Sequence, residues 1–403
     1  MTQQPQDPAA LPEVQETEAE QKPKHIYQMR YRLLKDGVVL EEDGAHSEVC
    51  EDRLLLIPDQ GARFDLTYRD ILKAEAKDYT LSFSLKGGEE AQLFYLGRDY
   101  DSFNANFFKE YNKIVKKDSF MAEAADCVKK GARFAHTKGE CIEEGACDIC
   151  FGETAVILQK PGEPVRIPYA LIRDTEYTDY SMRFVMDGQS YEISMLGNRY
   201  DACKKAYTEK LAALMQQTAD AIRQAKKDIT PVALRAAAKL FLDGRAVGRE
   251  EAGAICKGLW EAVYQISATY GASDYFDYLH KGAKDMRLGF KKALVGEQDY
   301  LWMLALLDGK IIMEAASPDK TGRATYIFKA GADAQETMSA INYCMHMCEF
   351  RREPIYMSEA ELNKDENIRY KEALRRVPEL LTLRTLYSKR VAHTSFEKWK
   401  ENL

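Results

Sequence analysis

The hydrophobic and polar positions of this chain follow two alternating rhythms, and the same sequence of rhythms is run through twice. From His25, the residues Tyr27, Met29, Tyr31 and Leu33 alternate with Gln28, Arg30 and Arg32, the period-two pattern of a half-buried strand, and Asp36-Gly37 then supplies a hairpin turn. Further short strands are predicted at Arg53–Ile57, Arg63–Thr67, Ile71–Ala76, Thr80–Leu85 and Ala91–Leu96, with Lys86-Gly87-Gly88 closing the last hairpin. The period then changes. Phe103, Phe107, Tyr111 and Ile114 fall at steps of four, four and three, which places four bulky groups on one face of a helix that can cover the sheet.

About a hundred residues later the pattern returns. Leu96-Gly97-Arg98-Asp99-Tyr100-Asp101 is echoed by Leu196-Gly197-Asn198-Arg199-Tyr200-Asp201, and Asp78-Tyr79-Thr80-Leu81-Ser82-Phe83 by Asp179-Tyr180-Ser181-Met182-Arg183-Phe184. Strands are expected at Thr154–Gln159, Val165–Pro168, Ile172–Tyr177, Ser181–Met186 and Tyr191–Leu196, and the closing helix carries Cys203, Tyr207, Leu211 and Leu214 at the same four-four-three spacing. A period this long fits duplication of a whole domain, not a solenoid repeat. The expected organisation is an acidic leader at 1–24, a first domain at 25–118 and a second at 119–219.

Beyond these the rhythm is helical. Thr230-Pro231 is an N-cap followed by proline at the first helical position; Val232–Leu242 and Glu250–Ile266 are helix candidates within a connector at 220–292. A β signal resumes at Tyr300–Leu307 and Ile311–Ala315 around the Asp308-Gly309 turn, followed by Ala324–Phe328 and a helix bearing Thr337, Ile341, Met345 and Cys348. The segment 293–350 is therefore expected to be a partial or diverged third copy. The tail, 351–403, is expected to be helical, with one helix at Glu366–Arg376, a break at Pro378, another helix to about Val391, and a last turn capped at Thr394-Ser395.

The formal net charge is −7, with net −3, −4 and −3 over residues 1–24, 25–118 and 119–219 and +3 over the remainder. That balance argues against a nucleic-acid binder, which would show a basic surface, and gives no general attraction to anionic membranes. No run reaches the 18 or more apolar residues of a membrane span, and the first residues lack a signal peptide's basic start and apolar core. A cytoplasmic location is the resulting expectation. Nine cysteines, an odd number scattered over a long chain, are expected to be reduced thiols.

Several antiparallel strands closed by one amphipathic helix in about a hundred residues, at 25–118 and again at 119–219, resemble the pleckstrin-homology-like (PH-like) superfold, most closely its bacterial members. The resemblance implies an α+β chain: two tandem PH-like antiparallel β-barrels, each partly open and capped by a C-terminal helix. Some PH-like modules bind phosphoinositides through a lysine followed by Arg/Lys-x-Arg. Lys24 with Arg30-Tyr31-Arg32 imitates that motif, but the arginines fall inside the first strand, and Lys129-Lys130-Gly131-Ala132-Arg133 of the second copy has a different spacing.

Candidate chemistry is sparse. Cys127, Cys141, Cys147 and Cys150 contain one CxxC pair, whereas a structural zinc site ordinarily needs two close pairs, so their sulfurs are not expected to converge. Asp319-Lys320-Thr321-Gly322 matches the start of the ion-pump phosphorylation motif but lacks the domain that motif requires, and is read as a turn. Cys344, His346 and Cys348 fall on different helix faces. Glu41-Glu42 and Glu143-Glu144 recur at matching repeat positions beside a turn, where carboxylates are ordinarily solvated. No catalytic, cofactor-binding or metal-ligating residues are assigned. The expectation is a non-enzymatic interaction scaffold that takes a protein or peptide partner, of basic character, by strand addition at an exposed edge or beside the capping helix. The alternatives are a membrane-surface adaptor using Arg30, Arg32, Arg375, Arg376, Lys389 and Arg390, and an enzyme with its site in the helical insert.

Overall fold

A computed structural model of the 403-residue chain describes residues 26–121, 125–160, 163–292, 299–317, 324–393 and 395–403. The leader 1–24, including Lys24, lies outside them, as do Asp319-Lys320-Thr321-Gly322 and Thr394. The chain divides into two compact units, one up to Glu110 and one from Tyr111 to Leu403.

The first unit is a seven-stranded antiparallel sheet: β1 (Ile26–Lys35), β2 (Val38–Val49), β3 (Arg53–Pro58), β4 (Phe64–Thr67), β5 (Ile71–Lys77), β6 (Thr80–Leu85) and β7 (Glu89–Phe94). Their order is β4-β3-β2-β1-β7-β6-β5. β1 is the hub. It pairs with β2 along its whole length and with β7 over Arg30–Lys35, so the first and last strands meet and the sheet curls on itself. The alternation seen in the sequence is realised: Tyr27, Met29 and Tyr31 are buried while Ile26, Gln28 and Arg30 face out. Helix α1 (Tyr100–Asp118) supplies Phe103 and Phe107 to this core; the Phe107 ring lies 4.9 Å from Phe83 and edge-on to Tyr68 at 5.7 Å, the offset geometry aromatic pairs prefer.

The boundary expected at 118 instead falls within α1. Tyr111 belongs to the second unit, where the Arg376 guanidinium sits 5.7 Å over its ring. Ile114, expected to be buried, is half-buried, and Val115 takes the buried position.

The second unit opens with the same arrangement: β8 (Asp126–Lys138), β9 (Cys141–Phe151), β10 (Ala155–Gln159), β11 (Val165–Pro168), β12 (Asp174–Thr178), β13 (Ser181–Met186) and β14 (Gln189–Ser194) in the order β11-β10-β9-β8-β14-β13-β12. Helix α2 (Tyr200–Ala225) buries Cys203, Tyr207 and Leu214 against it, with Leu211 half-buried. It outruns the expected end at 219: Ile222 enters the core of the C-terminal part, so one rigid helix serves two cores.

That C-terminal part holds a six-stranded antiparallel sheet of β15 (Val247–Gly248), β16 (Asp285–Lys292), β17 (Asp299–Leu307), β18 (Lys310–Ala316), β19 (Ala324–Lys329) and β20 (Tyr387–Ala392), paired in chain order. Four sequence expectations change here. Asp285–Lys292 is a strand and not part of a helical connector. Tyr387–Ala392 pairs with β19 where a helix to Val391 was expected: the helix begun by Pro378 stops at Leu386, and Val391 turns into the core. The sequential order also differs from the hub-and-return order of the two repeats, so the sheet does not reproduce their topology. The helix expected over Glu250–Ile266 is broken at Gly258, whose φ of +76° lies in the left-handed region that glycine enters without a Cβ penalty. Thr230 does cap the Pro231–Leu240 helix, accepting from Ala233 N–H, and Ser395 caps Phe396–Glu401.

Candidate binding edges on the projecting hairpins

The β1–β2 hairpin is flanked by β7 on its β1 side up to Lys35, but its β2 side outruns the neighbouring strand. β2 pairs with β1 from Val38 to Glu48, but β3 pairs with β2 only over Ala45–Val49. Among the described residues, Val38–Glu42 therefore has a neighbouring strand on one side only. Every one of these five residues is exposed, with Val38 and Leu40 each at 64%. An extended backbone with unpaired groups and apolar side chains on either side is a template for another strand.

The other sheet edges are protected. β5 carries exposed Lys73, Glu75 and Lys77, β12 exposes Asp174 and Glu176, and β20 exposes Lys389 and Arg390, charges that discourage edge-to-edge pairing. β4 is four residues long and β11 ends in Pro168. The second repeat has its own arm: β10 pairs with β9 only over Asp148–Phe151, leaving Cys141 and Ile142 exposed at the tip. Leu40 and Ile142 occupy matching places, each followed by a glutamate pair.

Those glutamates are already engaged. Glu42 binds Arg30 Nη2 at 3.0 Å and Arg32 Nε at 2.8 Å, and Glu41 accepts from the Tyr31 hydroxyl; burial and that carboxylate push the Tyr31 phenol well above its ordinary range. In the second arm Glu143 meets Lys160 Nζ at 2.6 Å and Glu144 meets Arg133 at 3.4 Å. The arms thus offer backbone and apolar side chains, with their charges largely matched. The same pairing occupies the arginines of the lipid-motif imitation. The basic tail is likewise distributed among internal contacts: Arg375 pairs with Glu372, Arg376 covers Tyr111, Lys389 donates to the Asn402 carbonyl and Arg390 lies over Tyr356.

Two of the four cysteines weighed for zinc are bonded to each other: Cys127 and Cys150 face one another across β8 and β9 as a disulfide, which corrects the expectation of nine reduced thiols. Register shifts within β8, between Cys127 and Ala132, bring the pair opposite, and these cannot be read from spacing. Cys141 is exposed at the arm tip, and burial pushes the Cys147 thiol up to about 12, which keeps it protonated. Cys344, His346 and Cys348 are all buried; burial holds the His346 pKa well below its ordinary value.

The nearest approach to a catalytic constellation is Thr325, His393 and Glu314. His393 Nε2 lies 3.0 Å from Thr325 Oγ1 and 3.1 Å from Glu314, and Thr325 also accepts from Trp399 Nε1 at 2.6 Å. Thr325 and Trp399 are fully enclosed and Tyr275 stacks on His393 at 4.3 Å, so the cluster anchors the C-terminal helix and leaves no approach for a substrate. An open cleft of about 1300 Å³ lies in the second unit, lined by residues including Arg173, Asp187, Arg249, Trp260 and Arg287. Arg173 is clamped by Asp187, Arg249 by Glu261, and Arg287 by Gln335, so these three arginines already have partners.

The arm itself was missed in the sequence. The signal was present: Val38-Val39-Leu40 breaks the apolar-polar alternation directly after a turn, where a strand with one buried face should not.

No protein-family profile matches the chain, and no curated protein does. Among solved structures it is similar to a chain in the structure of the Spt16D Pob3N heterodimer, at 17% identity over 40% of this chain and 83% of that one, with a TM-score of 0.17. Nothing is inferred from so low a score. The strand order stands independently: two curled antiparallel sheets, each with a first strand shared between its two halves and each followed by a long helix, are compatible with tandem PH-like domains.

Proposed function

We propose that this chain is a non-enzymatic interaction protein that captures an extended segment of a partner by strand addition along Val38–Glu42. The supporting observation is the combination, on one stretch, of a missing neighbour strand, solvent exposure and three consecutive apolar side chains, where the other edges carry charged residues, proline or little length. Main-chain hydrogen bonds supply the affinity, and alternating side chains of the incoming strand select it. Because Glu42 is matched by Arg30 and Arg32 and Glu41 accepts from Tyr31, the partner segment is extended and β-branched and need not be basic.

Selection of displayed random 12-residue peptides on the full chain tests this reading. Selected peptides should share alternating β-branched or aromatic positions, and V38K/L40K should abolish their binding while leaving thermal unfolding unchanged, since both positions are solvent-exposed. Peptides that bind V38K/L40K as well as they bind the parent would refute it.

A further inference from the structure

A second surface, at the end of the first barrel beside the start of α1, carries an exposed aromatic pair held in a costly backbone conformation. Tyr79 has φ +59° and Tyr95 φ +58°, and each is 75% exposed. Glycine or asparagine would satisfy both positions without steric penalty; bulky residues with positive φ that bury little deserve a functional reading. The register brings the two together. β6 and β7 pair Leu81 with Leu93 at this end of the ladder, and Tyr79 lies one residue before β6 while Tyr95 lies one residue after β7. The Tyr100 ring lies 5.2 Å from Tyr79 at 60°, giving the patch a third aromatic wall.

The second copy repeats the device. Tyr180 (φ +62°) and Met195 (φ +59°) are also exposed, lie just before β13 and just after β14 at the end that pairs Met182 with Ile193, and Tyr180 meets Tyr200 at 5.6 Å. Duplication has thus kept an exposed, conformationally costly pair in both copies.

In the segments that carry the first patch the carboxylates Asp78, Asp99 and Asp101 outnumber the cations Lys77 and Arg98. Burial, and after it the nearby Asp101 and Asp78 carboxylates, raise the Tyr100 phenol, and Asp99 leads into the helix. In the second copy Arg199 stands in place of Asp99 and a methionine in place of Tyr95. Aromatic faces bordered by carboxylates attract cations.

We propose that the Tyr79–Tyr95–Tyr100 patch binds the guanidinium or ammonium side chains of a basic segment in a protein partner, and that the Tyr180–Met195–Tyr200 patch is its weaker counterpart. This surface is separate from the strand edge, so the two readings fail independently.

The probe is a fluorescein-labelled 12-residue peptide alternating arginine with glycine, with lysine and glutamate counterparts as comparisons, titrated into the full chain at low salt. The decisive variant is Y79G/Y95G. Glycine is favoured at these φ values, so the fold should be at least as stable to heat, and the net charge is unchanged, so diffuse electrostatic attraction persists. Affinity for the arginine peptide should nevertheless fall at least about 10-fold, with Y180G/M195G having a smaller effect and D78N/D101N weakening binding and its salt dependence. Equal affinity of Y79G/Y95G and the parent, or no binding by the parent, would overturn the proposal. Loss of the peptide in V38K/L40K but not in Y79G/Y95G would assign it to the strand edge and equally overturn this site.

Discussion

Replacing Arg166 with methionine tests whether the second barrel and the C-terminal sheet are joined as the structure describes. Arg166, on β11, is 1% exposed and pairs with Glu349, which follows the Ala334–Met347 helix and is 4% exposed. Its guanidinium also donates to the His346 carbonyl at 2.6 Å and to Thr154 Oγ1 at 2.7 Å. Removing one member of a buried ion pair typically costs about 3–5 kcal/mol, because the other charge is left in a low-dielectric site. The two single changes should not cost the same. Without Arg166, the Glu349 carboxylate retains the Thr154 hydroxyl at 3.1 Å and the His346 carbonyl loses a charged donor, so Arg166→Met belongs near the upper end, about 4–5 kcal/mol. Glu349→Gln leaves the guanidinium its two neutral acceptors and a near-isosteric amide, and should cost about 2–3 kcal/mol, the worth of a hydrogen bond to a charged group. The double variant R166M/E349M buries no lone charge and should cost less than Arg166→Met alone. Urea unfolding followed by tryptophan fluorescence reads this without interference from the first unit, because Trp260, Trp302 and Trp399 all lie in the second. Single changes each costing under about 1 kcal/mol, or a double variant whose loss equals the sum of the singles, would refute the buried-pair reasoning.

Three further outcomes are expected. Phe107→Ala should destabilise the first unit by about 3–5 kcal/mol, read from thermal loss of the tyrosine near-ultraviolet signal, and Tyr207→Ala should do the same to the second barrel with the added loss of the 2.8 Å bond to Thr175. Burial holds His346 neutral with a pKa well below 6.5, so unfolding takes up a proton once pH falls below about 6.5: its contribution is fully present above that pH and falls toward acid at up to about 1.4 kcal/mol per pH unit. Glu379, whose carboxyl is raised by burial, acts in the opposite sense, so the diagnostic is a flatter acid limb in His346→Gln by urea unfolding across pH 5–7. Finally, peptide mapping under non-reducing conditions should recover Cys127 linked to Cys150, and C127S/C150S should lower the stability of the second barrel by about 3 kcal/mol for a closed loop of 23 residues.

The duplication and most strands were legible because they are local: Asp36-Gly37 and Asp187-Gly188 announce turns, and the spacing of Phe103 and Phe107, or Cys203 and Tyr207, announces a covering helix. What escaped was set by distant partners. Nothing near Tyr387–Ala392 distinguishes a strand from the end of a helix; pairing with β19, some sixty residues earlier in the chain, decides it, a tertiary override of local propensity. The Cys127–Cys150 bond depends on register shifts inside β8. The projecting arm exists because β3 is shorter than β2, a relation between two strands that neither segment shows alone. At the aromatic patches the sequence did hold a sign, since Asp-Tyr stands twice where a tight two-residue turn ordinarily has Asn-Gly; its meaning appeared only when the fold set Tyr79 and Tyr95 at the same end of the β6–β7 ladder.

Hydrogen exchange of the backbone amides of Val38–Glu42 tests the central claim most directly. In the chain alone, outward-facing amides of this stretch should exchange fast while those of Ala45–Val49, enclosed between β1 and β3, are protected. With a selected extended peptide at saturation, the Val38–Glu42 amides should slow sharply, and the Lys73–Lys77 edge should not change. Protection of the outward-facing Val38–Glu42 amides before any peptide is added, or peptide-induced protection confined to another edge, would contradict the account.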